Sequence, residues 1–125
     1  DWRSHKTNHQ SIIVPVMKLK NYIKINNITK IDLMKIDVET YEYQVLDGME
    51  EYLNKFRPII IIEIINPALG LEINSLFENL NYSYLNICES RGVLNVKTLG
   101  CNNDCNYLLC PIEKEHIIEN INTKN

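Results

Sequence analysis

Glycine is scarce in this chain. There are four in 125 residues, isolated from one another at positions 48, 70, 92 and 100, so no glycine-rich loop follows any apolar segment. Long apolar runs are missing too: the longest, "IIII" at 59–62, is far shorter than the roughly 20 residues a membrane-spanning helix needs. Basic residues are scattered, 13 Lys and Arg against 16 Asp and Glu for a net charge of −3, which leaves no basic stripe to attract nucleic acid. The opening "DWRSHKTNHQ" lacks the charged-then-apolar pattern of a secretory leader, so the expected compartment is cytoplasmic, with neither membrane nor nucleic acid as partner. His5 and His9 in that stretch have no neighbouring Cys or Glu ligand, and a frayed terminus is expected there.

Cysteine is present but sparse. Cys88, Cys101, Cys105 and Cys110 all lie in the last third. "CNNDC" sets two thiols four apart in a polar loop, a spacing open to zinc or to a disulfide. Structural zinc sites usually show two tight pairs, however, and Cys88 and Cys110 read as strand positions. Unlinked thiols and no metal are expected.

The hydrophobic share of 45% and the charged share of 23% are those of an ordinary globular protein with one compact core. The abundance of Ile, Asn and Lys is read as compositional bias. "SIIVPVM" at 11–17 is extended, and Pro15 disfavours a central strand there. Leu19, Tyr22 and Ile23 share a helical face that the asparagines at 26 and 27 can end. A strand is expected over about 31–38, and then a helix over about 40–54 capped by Thr40. Val45, Leu46, Met49, Tyr52, Leu53 and Phe56 form its apolar stripe, and Gly48 within it points to close packing. "IIIIEII" follows as a strand apolar on both faces, as in parallel sheets covered by helices on both sides.

Strand, helix and strand in that order make a βαβ unit with parallel strands. A second amphipathic helix carries Leu69, Ile73, Leu76, Phe77 and Leu80. Three further strands are expected, two of them joined by a hairpin near Gly92. The expected fold class is α/β, a parallel sheet with two crossovers and an antiparallel last strand.

Three charges interrupt the strand at 31–38. Side chains alternate along a strand, so Met34, Ile36 and Val38 keep one face apolar while Lys35, Asp37 and Glu39 turn the other polar toward the carboxyl end. That end is where open α/β sheets bind ligands. Glu63 stands near the carboxyl end of the next strand, so parallel neighbours would bring Asp37, Glu39 and Glu63 to one rim. Acids before a helix also favour its positive N-terminus, by about 0.3–1 kcal/mol each. Lys35 and Asp37 could pair on one face. The residues alone support a ligand site without naming the ligand.

The stretch "IDLMKIDVETYEYQVLDGMEEYLNKFRPIIIIEI" closely resembles the central motif of FkbM-family methyltransferases. The likeness extends outward through "VPVMKLKNYIKINNI", "INSLFENLNYSYL" and "CNYLLCPIEKE", over about residues 12–114. It implies an S-adenosylmethionine-dependent enzyme with the class I methyltransferase (Rossmann-like) fold, methylating a hydroxyl of a sugar, glycan or small molecule. Asp37 and Glu39 match the family's acidic pair in "KiDvE" and carry the implied catalytic role. Lys35, Glu42 and Glu63 are the implied substrate-binding residues.

Thr40 stands where the family has glycine, and Lys20 where it has aspartate. The family grips its cofactor with a glycine-rich first loop and an acid on the second strand, and this chain has neither. It therefore resembles the carboxyl-terminal half to two-thirds of such a domain, a single partial domain over 1–125 without the amino-terminal cofactor-binding half. Self-association, or pairing with the missing half, is the expected partnership. The other expectation is non-enzymatic: a half-domain kept as an interaction or regulatory module.

Overall fold

A computed structural model describes residues 11–101 and 104–122. His5 and His9 lie outside the described residues.

Residues 11–18 form no regular element, in keeping with Pro15. Helix α1, Leu19–Ile25, buries Ile23 and ends at Asn26 and Asn27, the latter at φ +50°. Strand β1 is Leu33–Ile36 and β2 is Ile59–Glu63, and they pair in parallel with Leu33 opposite Ile59 and Ile36 opposite Ile62. That is the pairing expected from the two apolar segments.

The single helix expected between them is instead two, α2 (Glu42–Asp47) and α3 (Glu51–Phe56), with Glu50 at φ +49° in the break. The cause is tertiary. Lys20 N–H of α1 donates to the carbonyl of Gly48 at 2.9 Å, which diverts that carbonyl from the helical ladder. A Cβ at Gly48 would sit 3.0 Å from the Gln44 carbonyl and 3.6 Å from the Leu19 nitrogen, the close approach its glycine suggested. The Glu50 carboxylate takes both Lys18 and Lys20. Lys20, where the resembled pattern has aspartate, thus serves here to fasten α1 to the break. The apolar stripe survives the interruption, with Leu46, Met49 and Leu53 buried.

Helix α4, Pro67–Phe77, follows β2. Asn66 caps it by accepting from Leu69 N–H at 2.9 Å, and Pro67 suits a first turn where no N–H partner is needed. It buries Leu69, Ile73 and Phe77. Strands β3 (Tyr82–Cys88) and β4 (Gly92–Val96) form the hairpin, whose Gly92 has φ +75°. Strand β5 is Asn106–Pro111 and leads through a 3₁₀ turn, Ile112–Lys114, into α5, Glu115–Asn122.

The sheet order is β1-β2-β5-β3-β4. Strand β5 is antiparallel to both β2 and β3, so β3 runs with β1 and β2, and both crossovers are present. The last strand is antiparallel as expected, and so is β4, the second strand of the expected hairpin. Only one of the four pairings is parallel, which corrects the expectation of a mainly parallel sheet.

The main core lies on the face carrying Ile36, Ile60, Ile62, Tyr107 and Leu109, beneath α2, α3 and α4. Burying each such isoleucine is worth about 1.5–3 kcal/mol relative to exposure. On the opposite face a smaller cluster of Leu85, Cys110 and Ile118 of α5 leaves Ile59 and Ile61 half-buried, and Leu33 is 59% exposed. Strand β2 is therefore sealed on one face, not on two.

Arg57 ties the start of β2 to the end of the sheet. Its guanidinium donates to the carbonyls of Leu80 (2.6 Å) and Asn81 (3.1 Å) and to both carboxylate oxygens of Glu113 (2.5 and 2.9 Å). These bonds from Arg57 pull the Glu113 carboxyl from about 4.5 down to about 2. A depressed folded-state value contributes stability above the unfolded value, lost as pH falls through the folded one. Melting temperature is therefore expected to decline between about pH 4.5 and pH 2. Glu113→Gln should flatten that part of the decline in a calorimetric pH series, and an unchanged slope would contradict it.

Candidate functional site

Strand β1 ends at Ile36, and Asp37 is the next residue out. Continuing the parallel register one step past Ile36 and Ile62 sets Asp37 level with Glu63. Alternation then puts Lys35 and Asp37 on the same side of the sheet as Ile61 and Glu63, away from α2 and α4. Lys35 Nζ lies 2.7 Å from Asp37 Oδ2, with the two side chains 64% and 46% exposed. Such a pair is worth little to stability, about 0–1 kcal/mol, and leaves one Asp37 oxygen for other partners.

The chain turns sharply after Val38. Glu39 and Thr40 have φ values of +50° and +80°, consecutive left-handed residues outside glycine. Each such residue costs of order 1 kcal/mol, more for a β-branched side chain, and strain of this kind concentrates at functional sites. Thr40 does not cap α2 as expected. Tyr41 occupies the capping position without a side-chain bond, and its ring is 64% exposed.

The bracing comes from Glu42, whose Oε1 accepts Val38 N–H at 3.0 Å across the turn. Glu42 is 1% exposed, and its Oε2 is buried with no hydrogen-bond partner among the described residues. Its match to the family motif is thus a side chain under the turn, while Glu39 stands exposed above it. Glu63 is half-buried and pairs across the sheet with Asn106.

The architecture accordingly brings Lys35, Asp37 and Glu63 to one side of the sheet at the carboxyl ends of two parallel strands, with Glu39 on the turn beyond. Two features escaped the sequence reading. An apolar groove of about 600 Å³, lined by Val16, Met17, Leu19, Tyr22, Val38, Tyr41 and Val45 among others, adjoins the turn. In the sequence Val38 reads only as the apolar end of a strand. The other feature is the approach of Cys101 to the carboxyl end of β2, where its Sγ lies 3.3 Å from the Ile65 carbonyl oxygen. Among the described residues, no cluster of three or more potential metal ligands is present.

The turn yields a direct test. A glycine at position 40 occupies φ +80° without a Cβ clash, at an entropic cost of roughly 0.5–1 kcal/mol, against roughly 1–3 kcal/mol for the strained threonine. Thr40→Gly is expected to raise the melting temperature by a few degrees, measured by thermal unfolding. A fall would show that the threonine side chain makes compensating contacts.

Among known families, the model of the methyltransferase FkbM domain matches residues 2–84, a span that takes in β1, the strained turn, β2 and α4. No curated protein and no solved structure matches the chain. No helix among the described residues is long and apolar enough to cross a membrane. The match covers well over half of the 125 residues and contains every acid of the rim, and on that ground the chain belongs to the FkbM methyltransferase domain family.

Proposed function

We propose that this chain supplies the acceptor-side rim of an S-adenosylmethionine-dependent methyltransferase that acts on a hydroxyl of a sugar or small molecule. The observation that carries the proposal is the parallel register of β1 and β2, which sets Asp37 level with Glu63 at their carboxyl ends. An ether-forming methyl transfer needs a hydroxyl held in line and relieved of its proton. Asp37 and Glu39, exposed at the rim, are suited to orient that hydroxyl and accept the proton. Lys35, 2.7 Å from Asp37, fixes the carboxylate that faces the acceptor. Glu63 adds a second acceptor for the substrate's other hydroxyls, and Glu42 holds the turn from beneath through Val38 N–H. The apolar groove beside the turn suits the non-polar flank of an acceptor.

The family uses S-adenosylmethionine as its methyl donor. The residues described here do not form a grip for its ribose and carboxypropyl groups. Gly70 is spent on packing, since a Cβ there would lie 2.9 Å from the Leu99 carbonyl oxygen. Gly48 backs onto α1, and Gly92 turns the β3–β4 hairpin. No two of the four glycines lie together in a loop that follows β1 or β2. We assign the cofactor grip to an amino-terminal half, docked against the outer edge of β1 to complete a class I, Rossmann-like sheet. Among the described residues strand β1 is terminal in the sheet, so its outer backbone edge is open to such a partner.

The test is methyl transfer from labelled S-adenosylmethionine to a panel of hydroxylated acceptors by the complete methyltransferase domain containing this chain. Asp37→Asn and Glu39→Gln are each expected to lower turnover by about 100-fold or more, with melting temperature within a degree or two of the parent. Full turnover with a lowered melting temperature would mean that the acids serve only the helix start.

A further inference from the structure

We infer that Cys101 and Cys105 form a dithiol site at the carboxyl end of β2, which a low-molecular-weight disulfide converts to an intramolecular disulfide. The two cysteines are held from both sides. On the Cys101 side, Leu99 is clamped to α4 by Asn74, which donates to its carbonyl and accepts from its N–H, both at 3.0 Å. Tyr107 Oη donates to the Gly100 carbonyl at 2.6 Å. On the other side, the Cys105 carbonyl accepts Ile64 N–H at 2.7 Å. Cys101 Sγ donates to the next carbonyl, that of Ile65, at 3.3 Å. Both cysteines are therefore bonded to adjacent residues just past the end of β2, Cys105 to Ile64 and Cys101 to Ile65, which seats them side by side. Two cysteines four apart in sequence and anchored to consecutive residues lie within the chain's reach of a disulfide.

Exposure sets the order of reaction. Cys101 is exposed and Cys105 half-buried, whereas Cys88 and Cys110 are buried in strands β3 and β5. Burial pushes the Cys105 thiol up, with the neighbouring Cys101 adding to the shift, and pushes Cys110 up to about 11. Cys101, as thiolate, attacks one sulfur of the external disulfide, forming a mixed disulfide and expelling one external thiolate. Cys105, giving up its proton, then attacks the Cys101 sulfur and expels the second. Two protein thiols are oxidised by two electrons, and one external disulfide is reduced to two thiols. The product loses the thiol hydrogen that bonds Ile65, one residue before the Asn66 cap of α4 and two after Glu63. The redox state is thus read out at the end of the strand that carries the rim.

The site does not depend on the assigned chemistry, and its test needs no activity. The native protein is incubated with excess oxidised glutathione, quenched with an alkylating reagent, and cleaved by chymotrypsin after Leu99 and Tyr107, which isolates Cys101 and Cys105 from Cys110. The expected 100–107 peptide has lost two hydrogens and carries no alkyl group. Cys105→Ser should instead trap one glutathione on Cys101. A wild-type peptide recovered as a glutathione adduct, as a doubly alkylated dithiol, or as a disulfide between two chains would overturn the inference. So would a Cys105→Ser peptide with Cys101 unmodified.

Discussion

The parallel pairing of β1 with β2 is the constraint on which the rest of the molecule depends. Four residues of each strand are in register, Leu33 to Ile36 against Ile59 to Ile62. Parallel neighbours need a crossover, and the crossover here is the α2–α3 segment with its break, whose buried Leu46, Met49 and Leu53 close over Ile36, Ile60 and Ile62. The same direction of travel puts the carboxyl ends of both strands on one side. Reversing either strand would carry Glu63 to the far end of the sheet from Asp37 and leave no shared rim.

The rim itself is held in a state the chain would not adopt alone. Two non-glycine residues, Glu39 and Thr40, sit at positive φ, and the buried Glu42 carboxylate ties the turn back to Val38. Burying a carboxylate with one oxygen unpartnered opposes folding, because desolvation is uncompensated on that side. Strain and desolvation together are supported by the close-packed helical face and by the Glu50 pairing with Lys18 and Lys20, which fastens α1 beside the turn. The energy stored at this corner shows that local geometry there is imposed by tertiary packing.

That division explains what the sequence made legible. The apolar stripes of α4 and of the α2–α3 segment, the parallel strand pair, the Gly92 hairpin and the strand positions of Cys88 and Cys110 all follow from periodicity and turn chemistry, which are local. The convergence of Asp37 and Glu63 followed from them, and the family motif over "KIDVE" marked the same corner. The helix break at Gly48 did not follow, because it is made by Lys20 N–H from another helix. Thr40 reads as a cap by residue type, but its φ is set by the turn that Glu42 braces. Glu42 reads as one more rim acid, and only the fold buries it. Ile59 and Ile61 read as core, yet no periodicity states what covers a face, and here the cluster around Ile118 of α5 reaches Ile59 and leaves both isoleucines half-buried. The seating of Cys101 and Cys105 beside the end of β2 depends on Asn74, Ile64 and Ile65, far away in sequence.

Since direction and register of β1 against β2 determine where every rim carboxylate stands, interstrand proton contacts in an isotope-labelled sample are the decisive measurement. Nuclear Overhauser effects should link Leu33 with Ile59, Lys35 with Ile61 and Ile36 with Ile62, rising together along both strands. Contacts that fall along one strand as they rise along the other, or a register displaced by one residue, would separate Asp37 from Glu63 and remove the shared rim.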